Sequence, residues 1–520
     1  MFNFIQKQLD IKIIKTAFVF AVIYCVLFNS PVLIYKFGFY KANMWTAPLE
    51  IAKDFIYLVV TLFAFFFGLS VHRVIFIAGA IILFVTGAIA SYYLFFFSIA
   101  PTLNIMPTIF GTHATEVYEL VSLRLVGWVL FSLAVCLYGI RHFNVKTSDS
   151  FLTFILSAVC LFYVAGNVTS PKFSFLKTYF PVQYLHNSYV FFFGHSKNLT
   201  KEDISLKYSF KDSSDDGVLG VLVIGESARH DRLGINGYER KTTPNLAKMD
   251  VVSLKAQSCA TSTYYSVPCM LSRLNMKDMD LVDSETTFLS VLTRLGFNTI
   301  WLGSQSITKG YRNRKGGSFY YETDFHMIPG GSLVLRPNAL DVTLIPYMEQ
   351  NLDSTKKQFV VLHSTGSHWN YSKRHTKEFA KFTPAIDSSL IKKDAAGCSL
   401  EALNNSYDNS ILYTDFFLSR VIAKIKDRKS FLIYSSDHGT SLGENGRFLH
   451  GGEMHLKEQR EVPFIIWFSD KYKAAHPKKW AAVQSLRGKD ISHDYLFHSI
   501  LDCIGIESDA IDKSLSVCKK

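Results

Sequence analysis

Apolar residues are distributed along this 520-residue chain in two different ways. Up to about position 168 they come in long runs with few charges: 13–35, 55–71, 74–99, 121–140 and 151–168. Each has about the ~20 residues that a helix needs to cross the hydrocarbon core of a bilayer. Five membrane-spanning α-helices are therefore predicted. The alternative for the first run is a cleaved signal peptide. Four further runs, and no small-residue cleavage site after Ser30-Pro31, favour a retained anchor. Beyond Leu199 the apolar runs shorten and alternate with helix-like stretches, the pattern of a doubly wound α/β domain. Four strand-like runs stand out, at 218–224, 298–302, 359–362 and 431–434.

Each of these four runs empties into polar, chemistry-bearing residues. The first leads to Gly225-Glu226-Ser227, and the second to Gly303-Ser304-Gln305-Ser306 with Lys309 close behind. The third leads to His363-Ser364-Thr365-Gly366-Ser367-His368, and the fourth to Asp437-His438-Gly439. In an open α/β sheet the carboxyl ends of parallel strands are where ligand-binding groups converge. One polar strand end means little, because polar residues follow most strands. Four of them, in a chain with no other comparable acid/histidine cluster, mark a site.

Charge changes the picture in two ways. Lys7, Lys12 and Lys15 precede the first apolar run, Arg73 lies between the second and third, and Arg141 and Lys146 lie between the fourth and fifth. The loop 101–120 has neither Lys nor Arg, whereas the first loop carries Lys36, Lys41 and Lys53. The balance puts the amino terminus inside and, with an odd number of spans, everything after Val168 outside. The net charge of +12 would also suit nucleic acid. An external catalytic half makes an anionic membrane surface the better partner, and no nucleic acid is expected. The stretch 170–193 mixes Phe and Tyr with Lys172 and Lys177, as an interfacial segment would. An ordinary aromatic-rich linker explains it equally well. Cys25, Cys136 and Cys160 fall in apolar runs, while Cys259, Cys269, Cys398, Cys503 and Cys518 fall in the outer part. An oxidising compartment would let the pairs 259/269 and 503/518 close short loops and would leave Cys398 over.

Thr263, inside Cys259-Ala-Thr-Ser-Thr-Tyr-Tyr-Ser-Val-Pro-Cys269, is the candidate nucleophile. A threonine hydroxyl is a poor nucleophile at neutral pH and must be deprotonated or bound to a cation. Glu226, Asp437, His438 and the Thr263 oxygen make a tetrahedral zinc set; oxygen-preferring ions are alternatives that the imidazole disfavours. His368, His450 and Lys309 are candidate proton donors or cations facing phosphate oxygens. For each a plainer reading exists, since a lone Lys is usually a solvated surface charge. His363, within a strand run, reads as a packed residue. Cys269-Met-Leu-Ser-Arg273 resembles the sulfatase signature Cys-x-Pro-Ser-Arg, but Leu271 stands where that signature has proline. A sulfatase activity is therefore not expected.

Taken in order, the motifs resemble the membrane-bound phosphoethanolamine transferases of Gram-negative bacteria, the family that includes the mobilised colistin-resistance enzymes. The stretches that carry the resemblance are Gly225-Glu-Ser-Ala-Arg229 with Gly237-Tyr-Glu-Arg240 and Thr243-Pro244, Cys259-x-x-x-Thr263 with Ser266-Val-Pro-Cys269, and Asn405-Ser-Tyr-Asp-Asn409. Ser436-Asp-His-Gly439 then runs through Ser441-Leu-Gly-Glu-Asn-Gly446 to Leu449-His450-Gly451 and Lys457-Glu-Gln-Arg460. The resemblance covers nearly the whole chain. It implies a five-helix transmembrane domain over 1–170, a bridging segment over 171–216, and a periplasmic domain of the alkaline phosphatase/sulfatase type over 217–520. It also implies that Thr263 becomes phosphoethanolaminylated and that Glu226, Thr263, Asp437 and His438 hold one zinc ion. His368 and His450 match substrate-side histidines, which in some relatives bind further zinc. Lys309 and Gln305 match positions that contact phosphoethanolamine, with Gln305 in place of an Asn. Glu116 matches an acid of the lipid site, and Thr108 stands where those members have Asn.

Two departures are visible. Trp369-Asn370-Tyr371 replaces the family's Gly-Pro and is more similar to relatives that modify Kdo or core sugars. The cysteine that often partners the one at Cys398 is missing, with Ile386 near its place. The function the resemblance implies is transfer of phosphoethanolamine from phosphatidylethanolamine to lipopolysaccharide, at lipid A or the Kdo/inner core, with release of diacylglycerol. The expected setting is the Gram-negative inner membrane, with a cytoplasmic amino terminus and a monomeric enzyme. A phosphoglycerol transferase of the same superfamily, or a different acceptor, is the alternative. A catalytically silent membrane scaffold ranks far lower, because the metal set is complete.

Overall fold

The computed structural model describes residues 11–40, 47–111, 117, 119–143, 151–169, 176–194, 201–209, 217–304, 324–327, 339–353, 356–386 and 395–519. They form two compact units, Met1–Met106 with Val121–His195, and Pro107–Leu120 with Ser196–Lys520.

The first unit contains the five predicted spans as helices: α1 (Ile11–Tyr40), α2 (Ala47–Leu69), α3 (Arg73–Phe97), α5 (Leu123–His142) and α6 (Phe151–Thr169). The short α4 (Met106–Gly111) precedes α5. Among the described residues four helices, over Ile11–Ile34, Pro48–Leu69, Arg73–Phe97 and Leu123–His142, are long and apolar enough to cross a membrane. The fifth, α6, has 19 residues and no charge. Local signals set some ends. Ser122 caps α5 by accepting from Leu125 N, which satisfies one of the amides a helix start leaves without a partner. Inside the unit, aromatic rings meet edge-on, with Phe20–Phe76 centroids 5.2 Å apart and Phe28–Phe84 at 5.4 Å. Outward, Phe162 is 84% exposed and Ile82 61%, side chains that need an apolar surrounding. Helix α7 (Val182–Phe193) is anchored at its base by Asn29, whose side chain bonds both Phe180 N (2.8 Å) and Phe180 O (3.0 Å).

The second unit is built on an eight-stranded sheet in the order β10-β2-β9-β6-β1-β5-β3-β4. The strands are β1 (Leu219–Gly225), β2 (Val251–Gln257), β3 (Asn298–Gly303), β4 (Asp324–Met327), β5 (Gln358–His363), β6 (Ser430–Ser436), β9 (Glu461–Phe468) and β10 (Asp490–Ser492). A small second sheet pairs β7 (Ser441–Leu442) with β8 (Phe448–Leu449). All four strand-like runs picked out from the sequence are strands. β1, β5 and β6 are buried at every position, the signature of parallel strands covered on both faces. β9 runs antiparallel to both β2 and β6, so the sheet is mixed. The core joins Leu222, Ile224, Phe359, Phe431 and Phe464 from the sheet to Phe288 and Phe497 outside it. Register decides where the chemistry goes. Gly225 pairs with Ser436 and Ile224 with His363, so the residues following β1, β5 and β6 leave the sheet side by side.

Candidate active site

Thr263 is the first residue of α8 (Thr263–Leu271), a helix that starts after the extended Ser262. That position puts its hydroxyl at the positive end of a helix dipole. Several ties hold the loop in front of it. Cys259 and Cys269 are disulfide-bonded, as the sequence predicts. Ser266 Oγ accepts from Ala260 N at 3.0 Å. Thr261 bridges to the turn after β8: its carbonyl accepts from Gly451 N (2.7 Å) and its hydroxyl donates to Gly452 O (2.9 Å).

The four residues proposed as metal ligands converge. Thr263 Oγ1 lies 3.0 Å from Glu226 Oε2 and 3.3 Å from His438 Nε2. His438 Nε2 is 3.3 Å from Glu226 Oε1 and 3.5 Å from Asp437 Oδ2. Glu226, Asp437 and His438 are completely buried, and Thr263 is 5% exposed. Four tetrahedral zinc ligands at bond lengths of about 2.0–2.2 Å stand roughly 3.3–3.6 Å apart, which is close to the spacing seen here. Two further observations fit a cation. Asp437 Oδ2 is buried with no hydrogen-bond partner. His438 Nδ1 lies 2.7 Å from Gly439 O, to which it donates, so the Nε2 lone pair faces the cluster. Burial, and then the neighbouring Glu226 carboxylate, push Asp437 well above the usual carboxylate range. Two buried acids this close need a positive charge between them.

His450 belongs to the same group: ligand atoms of Glu226, His438 and His450 all lie within 4.8 Å of one another. Its ring is 4.3 Å from that of His438 and 5.6 Å from that of His368. Lys309, Gln305 and Glu116 lie outside the described residues. Thr108 sits half-buried in α4. Cys503 and Cys518 form the second disulfide, and Cys398 is in neither. His363 is the last, buried residue of β5, as its place in an apolar run suggested.

Sequence reasoning missed the residues that hold this group in shape. Ser227 adopts the left-handed φ of 59° and donates from its hydroxyl to Glu226 Oε1 at 2.7 Å. Gly366 has φ +50°, and a Cβ there would meet Glu226 O at 2.7 Å, so only glycine fits. Asp341 fixes the same turn by accepting from Thr365 N (2.7 Å) and Gly366 N (2.9 Å). His493 joins two walls. Its Nδ1 accepts from Cys259 N at 3.2 Å, and its Nε2 donates to Ser436 O at 3.0 Å. Glycine next to a catalytic-looking strand end was the one local signal that pointed to any of these.

The sulfatase family profile matches residues 219–506, and the profile "Phosphoethanolamine transferase EptA/EptB" matches residues 59–199. The phosphatidylethanolamine transferase Mcr-2 of Escherichia coli is 31% identical over 74% of this chain and 78% of its own length. The Kdo(2)-lipid A phosphoethanolamine 7''-transferase of Escherichia coli K12 is 27% identical over 95% and 94%. Among solved structures, the integral membrane lipooligosaccharide phosphoethanolamine transferase A of Neisseria meningitidis superposes with a TM-score of 0.78. It is 25% identical and covers 97% of this chain and 98% of that one. A sulfatase-like catalytic unit and an apolar helical unit, each matched along with the whole chain, make this protein a member of the membrane-bound phosphoethanolamine transferase family.

Proposed function

We propose that the chain transfers phosphoethanolamine from phosphatidylethanolamine to lipopolysaccharide, at lipid A or the Kdo/inner core, through a covalent intermediate on Thr263. The observation that carries this reading is the meeting of a helix-terminal hydroxyl with two buried carboxylates and an imidazole within 3.0–3.5 Å. Residues 1–170 would embed in the inner membrane with the amino terminus cytoplasmic. Residues 171–216 would bridge, and residues 217–520 would work in the periplasm.

Glu226, Thr263, Asp437 and His438 would hold one zinc ion, which when bound lowers the pKa of the hydroxyl and offsets charge on the phosphoryl oxygens. The Thr263 hydroxyl passes its proton to an imidazole as its oxygen attacks phosphorus, a P–O bond to Thr263 forms, and the P–O bond to the glyceride breaks. Diacylglycerol leaves with a proton supplied by an imidazole, for which His368 and His450 are the candidates. The amino end of α8 favours the negative charge that collects on the phosphoryl oxygens. In the second half an acceptor hydroxyl attacks the same phosphorus, its proton passes to the imidazole and on to the Thr263 oxygen, and the P–O bond to Thr263 breaks. Lys309 and Gln305 would bind the transferred group, and Glu116 and Thr108 the lipid. The similarity of Trp369-Asn370-Tyr371 to Kdo- and core-modifying relatives supports an acceptor beyond the lipid A phosphates.

Peptide mass spectrometry of protein purified from membranes tests the reading: a phosphoethanolamine adduct is expected on Thr263. Thr263→Ala should abolish transfer while the protein still folds. Robust lipopolysaccharide modification by that variant, or a glycerol phosphate adduct on the wild type, would overturn it.

A further inference from the structure

We infer that Glu119 is a positioning residue for the transfer reaction, acting through Arg374 on the orientation of His368; this rests on the function proposed above. In sequence Glu119 lies between two apolar helices, α3 and α5. In space its segment, Pro107–Leu120, belongs to the unit that carries the catalytic sheet. Its partners are some 250 residues away. Oε1 pairs with Lys373 Nζ at 3.0 Å, and Oε2 accepts from Arg374 Nη2 at 2.9 Å and from Asn370 N at 3.3 Å. Its backbone carbonyl accepts from Trp369 Nε1 at 3.1 Å. One residue therefore straps down the whole turn from Trp369 to Arg374.

The strap leads directly to His368. Arg374 Nε donates to His368 O at 2.9 Å, and Nη2 donates to Trp369 O at 2.8 Å. That same Trp369 carbonyl accepts from His368 Nδ1 at 2.6 Å. The bond fixes the proton of the neutral ring on Nδ1 and the lone pair on Nε2, at the opposite edge of the imidazole. The Arg374 and Glu119 side chains are 4% and 5% exposed, so water cannot take over for a missing partner. Arg374 holds two carbonyls and a carboxylate at once with its planar fork, which a lysine ammonium cannot do. Glu119 thus reaches His368 in two steps, and neither step passes through Glu226, Asp437 or His438. A fragment limited to residues 196–520 would carry Arg374 without its carboxylate.

The test uses the full-length protein in phosphatidylethanolamine vesicles with a lipopolysaccharide acceptor, and compares Glu119→Ala, Glu119→Gln, Arg374→Ala and the Glu119→Ala/Arg374→Ala double variant. Glu119→Ala should lower kcat about 10–100-fold, with KM for the donor changed less than about threefold and zinc content unchanged. Glu119→Gln, which keeps the volume and one acceptor, should fall between Glu119→Ala and wild type; it decides the matter if the alanine variant does not fold. The double variant should be no worse than Arg374→Ala alone, because the two residues act in series. Wild-type kcat in the Glu119 variants, additive losses in the double variant, or a fall in zinc that tracks the fall in kcat would each overturn the role. Wild-type protein that forms no Thr263 adduct and transfers nothing would instead remove the proposed function, and this role with it.

Discussion

His493 is where acid should first damage this molecule. The imidazole is buried, accepting from Cys259 N and donating to Ser436 O, with Ser435 Oγ 3.2 Å from Nε2. Burial pushes its pKa from an ordinary 6.5 down to about 3, and the nearby Arg460 guanidinium pushes the same way. A proton added at Nδ1 would have to displace the Cys259 amide, since a protonated ring offers no acceptor there. The folded state therefore binds fewer protons than the unfolded chain between pH 6.5 and 3. The group's contribution is complete above about pH 6.5 and is lost as pH falls through that window. At about 1.4 kcal/mol per pH unit, a displacement of this size is worth at most roughly 5 kcal/mol. His493→Gln gives up the ring's two directed bonds and should cost about 1–2 kcal/mol at pH 7.5. It should then lose much less than wild type on acidification, so the two stability curves close up or cross between pH 6.5 and 4. Thermal unfolding of the detergent-solubilised chain at half-unit pH steps reads this directly. Parallel curves for the two proteins would refute the argument, because they would place the acid sensitivity elsewhere.

Two further outcomes follow from the geometry around Thr263. Gly366→Ala must accommodate a Cβ 2.7–2.8 Å from the Glu226 backbone at a φ of +50°, so it should weaken zinc retention and lower activity together, measured by metal content after dialysis; normal zinc content in an active variant would contradict it. Reducing Cys259–Cys269, or replacing both residues with Ser, releases a loop closed over a sequence separation of 10 and should cost about 2–3 kcal/mol. Alkylation should reach Cys259, Cys269, Cys503 and Cys518 only after reduction, and modification of any of them in the denatured, unreduced protein would count against the pairing.

The parts of this protein that could be read from the sequence are those whose cause is local. Val218–Ile224 and Phe431–Tyr434 are strands because unbroken apolar, largely β-branched or aromatic runs suit positions buried on both faces, and both are found so. The acids and histidines that follow them are exposed to the same logic, since a chain leaving a parallel sheet must turn there. The five apolar runs became helices because their length alone excludes a strand. β9 carries a similar apolar run, Val462–Phe468, yet no local feature says that it would enter the sheet antiparallel between β2 and β6. The supports are equally silent. His493 lies 234 residues from its Cys259 partner and Glu119 some 250 from the turn it straps, and each looks like an ordinary polar loop residue until the fold brings the partner up. The loop 101–120 offered a faint hint: it holds acids and no Lys or Arg, so any buried carboxylate in it had to find its cation elsewhere in the chain.

That division has a physical basis in how such a site must be made. A hydroxyl, two carboxylates and an imidazole packed within 3.0–3.5 Å repel or misalign unless the backbone leaves them no alternative. The sheet supplies one constraint, since the Gly225–Ser436 register fixes Glu226 against Asp437 before any side chain is considered. Thr263 is not on the sheet, however, and must be brought to it. Three separate ties contribute: the disulfide between Cys259 and Cys269 closes the segment around Thr263, while the bonds from Thr261 to Gly451 and Gly452 and the His493 bridge from Cys259 to Ser436 dock it. Two begin at Cys259, from its sulfur and its amide, and one at Thr261, and each ends on a different part of the catalytic unit. Losing one tie leaves two, so single variants at these ties should reduce the rate in steps, whereas a change at Thr263 itself removes the oxygen proposed to react.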